Sequence, residues 1–390
     1  MVEPKLLFVL SSDYGELSNA LYVLRGTGLD ATLLLPERLF DTNRDTLQVP
    51  ARRYTSPADV LAVVEREQPD VVFLFSAYLY AINGIVDLGA VEALLGELRR
   101  RRLRVVTSDP FLGLLRESRG ALFSDRHPQR QALEGHFARL ASRLADVTHL
   151  YLAPADSLAG AHKVALFNPE VITDAASIRQ RGARLAARVG IDLRRPRWLF
   201  VLGSEDYGAQ VTRFGRESFE TVLLSRLEDA AQAGRQPVLI APQPCIDALA
   251  RSGRTADSLI SLAFCSYDLF VDLLLEAEYV FYWNVLSNSL LARLANRLPA
   301  LFFDRGHLAQ VMPALLDLGL KTYFPGAELA LLDQRERLAA STLVALAARQ
   351  ERALETALDN LRRAPAPREL IEQLMSVSSP VAREGQQGER

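Results

Sequence analysis

The stretch from Ser266 to His307 reads SYDLFVDLLLEAEYVFYWNVLSNSLLARLANRLPALFFDRGH. Its pattern resolves into four pieces. Apolar spacing predicts a short helix over Tyr267–Glu276. The run Tyr279-Val280-Phe281-Tyr282-Trp283 predicts a strand buried on both faces. A polar turn from Asn284 to Asn288 then opens a second helix over Ser289–Asn296, and Pro299 introduces another apolar strand, Ala300–Phe303. That strand runs out into Asp304-Arg305-Gly306-His307. Strand, turn, helix and strand in about 25 residues make a βαβ unit, with polar residues just past the carboxyl ends of the strands. Open α/β sheets bind ligands there, where the next helix adds the positive end of its dipole.

Outward from this unit the same alternation continues. Continuous apolar runs predict strands at Leu6–Leu10, Ala31–Leu35, Val71–Phe75, Arg104–Thr107 and His149–Leu152. Helical spacing falls between them at Glu16–Arg25, Val60–Val64, Val91–Leu98 and Gln131–Leu144. Then the pattern restarts. Trp198-Leu199-Phe200-Val201-Leu202-Gly203-Ser204-Glu205-Asp206-Tyr207-Gly208 echoes Leu6-Leu7-Phe8-Val9-Leu10-Ser11-Ser12-Asp13-Tyr14-Gly15. A helix over Glu217–Ala233 and a strand over Pro237–Ala241 follow the second copy. An echo at so long a spacing does not suit a solenoid and fits two tandem Rossmann-like, doubly wound α/β domains.

The expected boundaries are residues 1–180 for the first domain, 181–197 for a charged linker and 198–364 for the second domain. Beyond Leu320 the chain reads as helical, over Glu328–Leu332 and Arg335–Leu361. A short helix over 365–376 and a disordered tail over 377–390 complete it. With 390 residues, 49% of them apolar and 24% charged, each domain can bury its own core.

Charge and cysteines exclude several classes of function. A net charge of −2 and a pI near 6.3 give no basic field for nucleic acid. Two cysteines, Cys245 and Cys265, form no disulfide framework or metal spacing, so a cytoplasmic location is expected. No apolar run is long enough for a transmembrane segment. There is no P-loop, no G-x-G-x-x-G after a strand, no H-E-x-x-H, no D-x-D and no paired C-x-x-C, so neither a metal nor a bound cofactor is expected.

The Ser266–His307 stretch resembles the donor-sugar region of GT-B glycosyltransferases. In that fold a strand ends in a small-residue or Ser-rich turn, a helix follows, and a P-x-hydrophobic strand comes next. Ser287, Asn288 and Ser289 stand where that turn cradles the donor diphosphate, and Leu298-Pro299-Ala300-Leu301-Phe302 matches the following strand. Two departures are visible. Trp283-Asn284 replaces the turn's usual glycine, and Leu290-Leu291-Ala292-Arg293 stands where a ribose-binding glutamate is common. The resemblance implies two domains facing across a cleft, with a nucleotide-sugar donor on the second and a small-molecule, glycan or peptide acceptor on the first. It also implies a C-terminal helix that can cross back to the first domain.

Without a metal, backbone N–H groups, helix dipoles, hydroxyls and cations must meet the diphosphate charge. Gly203, Ser204, Arg213, Gln243, Trp283, Asn284, Asp304, Arg305 and His307 join Ser287–Ser289 as candidate donor contacts, since all fall at or near predicted strand ends. Asp13, Glu16 and Asp109 are the candidate bases for an acceptor hydroxyl, and Ser12, Tyr14 and Gly15 the candidate acceptor contacts. Each polar residue has a plainer reading: Ser287 or Asn288 as an N-cap, each acid as a partner of a helix dipole, Trp283 as core. Three functions stay open: a metal-independent glycosyltransferase, a degenerate GT-B-like binding protein, and a nucleotide-sugar 2-epimerase.

Overall fold

The computed structural model describes residues 3–11, 14–80, 87–109, 111, 113–118, 123, 130–151, 163–167, 175–253, 256–326 and 329–376. The elements form two compact units.

The first unit holds β1 (Leu6–Val9), α1 (Tyr14–Thr27), β2 (Ala31–Pro36), α2 (Glu37–Asn43), β3 (Ala51–Tyr54), α3 (Pro57–Glu67), β4 (Val71–Leu74), α4 (Leu88–Arg100), β5 (Arg104–Ser108), α5 (Arg130–Arg143), β6 (Thr148–Tyr151) and β7 (Lys163–Ala165). The second holds α6 (Ala175–Val189), β8 (Arg197–Val201), α7 (Ser204–Phe214), α8 (Arg216–Gln232), β9 (Gln236–Ile240), α9 (Gln243–Arg251), β10 (Ile260–Leu262), α10 (Tyr267–Glu276), β11 (Tyr279–Tyr282), α11 (Asn288–Ala295), β12 (Ala300–Phe303), α12 (His307–Val311), α13 (Pro313–Tyr323), β13 (Leu331–Leu332) and most of α14 (Ala340–Leu361). The last helix, α15 (Pro367–Ser376), belongs to the first unit.

Each unit is one parallel sheet. The strand orders are β3-β2-β1-β4-β5-β6-β7 and β10-β9-β8-β11-β12-β13. In the first sheet the chain winds one way from β1 and the other way from β4; in the second it winds one way from β8 and the other from β11. Those strand pairs are the topological switch points, beyond whose carboxyl ends open sheets leave a crevice. The two centres match residue for residue. Phe8 pairs with Phe73 across the first, with stacked rings 4.5 Å apart, and Phe200 pairs with Phe281 across the second, with stacked rings 4.7 Å apart. Such pairs need continuous apolar strands covered on both faces, and β1, β4 and β11 are buried throughout.

Three expectations change. The segment 181–197 read as a linker is largely the second half of α6, whose Arg184 holds Asp272 of α10 through bonds of 2.7 and 2.9 Å. Its run of arginines is the charged stripe of a packed amphipathic helix. Leu331–Leu332, read as helix, is instead strand β13, because the residues pair in register with Phe302 and Phe303 at the sheet edge. The following helix starts at Ala340 rather than Arg335. The return of the C-terminal helix does occur: Pro367 packs on Gly26 of α1, and the Arg368 guanidinium donates to the Thr27 carbonyl at 3.1 Å. The expected tail, 377–390, lies outside the described residues.

Candidate functional site

At the second switch point two helices begin side by side, after β8 and after β11. Their N-termini differ in charge. Helix α7 is capped by Gly203, and its first turn carries Glu205 and Asp206, so its own carboxylates already complement its dipole. Helix α11 is capped by Ser287, has no acidic residue in its first turn, and receives no side-chain capping bond. Ser287 Oγ lies 2.7 Å from Ser289 Oγ, so the two hydroxyls face each other across the turn. Asn284 shapes the approach by accepting the Leu286 N–H at 2.9 Å. The Asn288 Oδ1 atom is buried without a partner. The Tyr282 hydroxyl, fully buried, faces Ser289 without completing a bond. Donor hydroxyls and an open helix N-terminus with no acid in its own first turn are what an anion requires.

Helix α7 does not run straight back along its sheet. Asp206 Oδ1 accepts the His307 N–H at 2.7 Å, and Gln210 donates to the Arg305 carbonyl and accepts from Gln334 Nε2 at 3.0 Å. Gln334 Oε1 in turn accepts Trp283 Nε1 at 2.9 Å. The helix therefore lies over the loops that follow β11, β12 and β13. Gly306 lets the β12–α12 loop lie against the end of β11, since a Cβ there would overlap the Trp283 carbonyl oxygen. Asp206 is only 5% exposed, and burial, with some help from Glu205, pushes its carboxyl up to about 7.

At the far end of α7 three guanidinium groups surround one ring. Arg213, Arg305 and Arg335 lie 5.5, 5.3 and 5.5 Å from the Phe214 centroid. Arg305 also bonds Asp304 at 3.1 Å. The sequence places Arg213 and Arg305 beside the donor turn. Instead the 11 residues of α7 carry Arg213 about 16 Å from the Gly203 loop, and Arg305 turns towards the same ring.

Several other expected residues serve the fold. Trp283, a candidate for stacking on a ligand, is 2% exposed and packs against Phe303 at 4.6 Å. Gln243 opens α9 and bonds Asp247 at 2.6 Å. His307 meets Asp206 through its backbone. Gly203 and Ser204 are exposed at the start of α7. Arg293, standing where a ribose-binding glutamate is common, is fully buried and makes five hydrogen bonds to the carbonyls of Leu274, Ala277, Glu278 and Pro299. Burial lowers its guanidinium to about 10, which leaves it charged at neutral pH. It is a clamp joining α10, β11 and the entry to β12, and only its place in an apolar helix hinted at burial.

In the first unit the candidate bases turn inward. Glu16 is buried in the first turn of α1 and accepts the Ser11 N–H at 2.7 Å and the Ser11 hydroxyl at 2.9 Å. Asp109 is buried and accepts four backbone N–H groups, from Phe111 at 2.9 Å, Gly113 at 2.7 Å, Arg116 at 3.4 Å and Leu115. Burial raises its carboxyl to about 6 against the pull of those bonds. Both carboxylates are taken up in holding their own loops, which removes the reason for reading them as free bases. Tyr14 and Gly15 open α1, half-buried. Ser12 and Asp13 lie outside the described residues. Among the described residues no group of three or more His, Cys, Asp or Glu side chains could hold a metal ion, and no helix is long and apolar enough to cross a membrane.

No family model matches the sequence, and no curated protein matches it. Solved structures do match its fold. The wall teichoic acid polymerase TagF aligns with a TM-score of 0.55 at 10% identity, over 98% of this chain and 90% of that one. Sucrose-phosphate synthase from Thermosynechococcus elongatus aligns at 0.52 and 11% identity, over 96% and 98%. The UDP-GlcNAc 2-epimerase from Neisseria meningitidis, solved with UDP-GlcNAc, aligns at 0.51 and 12% identity, over 95% and 99%. Two parallel α/β sheets with a C-terminal helical segment give the chain the GT-B fold.

Proposed function

We propose that the protein binds a nucleotide sugar at the β11–α11 turn and transfers the sugar to an acceptor without a metal ion. The observation that carries this reading is the N-terminus of α11, free of a side-chain capping bond and of acids in its first turn, at a switch point of a GT-B fold. Proteins of that fold include a UDP-GlcNAc 2-epimerase solved with its nucleotide sugar. In this reading the N–H groups of Asn288 and Ser289 and the hydroxyls of Ser287 and Ser289 receive the diphosphate. They stabilise it most as it departs with its full charge. Gly203 and Ser204, on the neighbouring loop, border the same crevice. Asp13 is the remaining candidate base and Ser12, Tyr14 and Gly15 the acceptor contacts.

A second reading, a binding protein without turnover, is favoured by the inward turn of Glu16 and Asp109. Incubation with UDP-, GDP-, CDP-, ADP- and dTDP-sugars, with and without a mixture of acceptors, separates the readings. Release of nucleoside diphosphate that depends on acceptor supports transfer. Isomerised sugar nucleotide without any acceptor identifies an epimerase, and binding without either product identifies a binding protein.

A further inference from the structure

We propose that Arg213, Arg305 and Arg335 form a second anion site, distinct from the α11 turn, that takes a phosphate-bearing ligand over the ring of Phe214. Three separate elements supply the cations: the last turn of α7, the β12–α12 loop and the loop after β13. All three guanidiniums lie within 5.5 Å of one ring centroid. Their positive charges are only partly balanced by the protein. The only ion pair any of them makes among the described residues is Arg305 with Asp304, which engages Nε alone. The guanidiniums of Arg213 and Arg335 make no hydrogen bond among the described residues, and both side chains are exposed. Asp333, beside Arg335, accepts the Arg335 backbone N–H at 2.9 Å, and its carboxylate and that of Asp304 offset part of the positive charge of the three arginines.

Cation–π contact holds each guanidinium near the ring and leaves the planar N–H forks of Arg213 and Arg335, and the terminal nitrogens of Arg305, without a partner among the described residues. Those forks match phosphate oxygens in pairs, and mutual repulsion among three cations is relieved when an anion sits between them. The dipole of α7 points its negative end at this site. That favours the cations being there, and makes their number, rather than a helix terminus, the source of anion attraction. No residue of the β11–α11 turn belongs to the cluster, so the site stands whether or not that turn holds a nucleotide.

Calorimetric titration with inorganic pyrophosphate tests the proposal, in a Ser287→Ala/Ser289→Ala background that removes the hydroxyls of the other site. Pyrophosphate is expected to bind there, and raised salt to weaken it. Adding Arg213→Ala/Arg335→Ala should cost at least tenfold in affinity, and Arg335→Lys alone a smaller loss. Retained affinity after both arginines are removed would overturn the proposal. So would the absence of pyrophosphate binding in protein that keeps all three arginines, and a lower melting temperature in the arginine variants would then assign the cluster to stability. A nucleoside diphosphate that still binds the Arg213→Ala/Arg335→Ala protein with Ser287 and Ser289 intact keeps the nucleotide reading separate from this one.

Discussion

The two switch points share a frame and differ in where a buried carboxylate reaches. In the first unit Glu16 turns back on its own loop, holding the backbone and hydroxyl of Ser11. Tyr54 of β3 and Tyr80, beyond β4, add bonds of 2.5 and 2.8 Å to the carbonyls of Leu10 and Val9, so the end of β1 is also held by its neighbours in the sheet. In the second unit Asp206 reaches forward to His307 and ties two loops together under α7. Matching central strands thus carry, among the described residues, a first-turn carboxylate that holds its own strand-end loop in one unit and a neighbouring loop in the other.

Both tryptophans, Trp198 and Trp283, lie in the second unit, so tryptophan emission during denaturation follows that unit while circular dichroism follows both. The largest effect should come from Arg293→Met. It orphans buried carbonyls on three elements and should cost about 3–5 kcal/mol, read as an earlier loss of tryptophan emission. Gly306→Ala breaks the coupling of loops directly. Its Cβ cannot coexist with the Trp283 carbonyl, and a loss of about 3 kcal/mol in the same signal is expected. A transition unchanged by Gly306→Ala would mean that the close approach of the β12–α12 loop to the end of β11 contributes little to the second unit.

Glu16→Ala should cost about 2 kcal/mol by leaving the Ser11 N–H and hydroxyl unpaired. It should shift the dichroism transition and leave tryptophan emission in place. Movement of both signals would contradict confinement of the effect to the first unit.

Asp206→Asn sharpens the comparison through pH. The folded carboxyl, at about 7, lies above the unfolded value near 3.9, so the folded form holds more protons between those values. The stability this group contributes is therefore full below about pH 4 and is lost as pH rises through about 7. The amide introduced by the substitution would keep an acceptor for the His307 N–H and carry no charge. Relative to the native protein the variant should gain stability above pH 7, on the order of 1–4 kcal/mol, and flatten the slope between. An equal slope in both proteins would remove Asp206 from the coupling.

The frame was legible because buried parallel strands write themselves as apolar runs. The strands at Leu6, Ala31, Val71, Arg104 and Tyr279 stand within a residue or so of where their runs place them. The short strand β13 was not legible, since two residues at a sheet edge carry no period of their own. The α11 turn was legible as a polar break between apolar elements. The direction of individual side chains was not. Asp109 and Glu16 read as acids at strand ends, and only the folded backbone shows that each is consumed by nearby N–H or hydroxyl groups. Trp283 next to a polar turn could face either way, and the register of β11 sends it into the core with Phe219 and Phe303. Arg335 escaped notice because its partners in the cluster come from distant parts of the sequence.

The most direct test of the account is the thermal stabilisation of the protein by UDP, GDP, CDP, ADP and dTDP, with Ser287→Ala alongside. Ser287 makes no capping bond, so its loss should leave the unliganded melting temperature almost unchanged. At a hundredfold excess over the dissociation constant, a bound nucleotide adds about 2.7 kcal/mol. The account predicts one clear nucleotide among the five, with its shift reduced in Ser287→Ala. No shift with any of them, or a shift indifferent to Ser287, would contradict the placement of a nucleotide at the α11 turn.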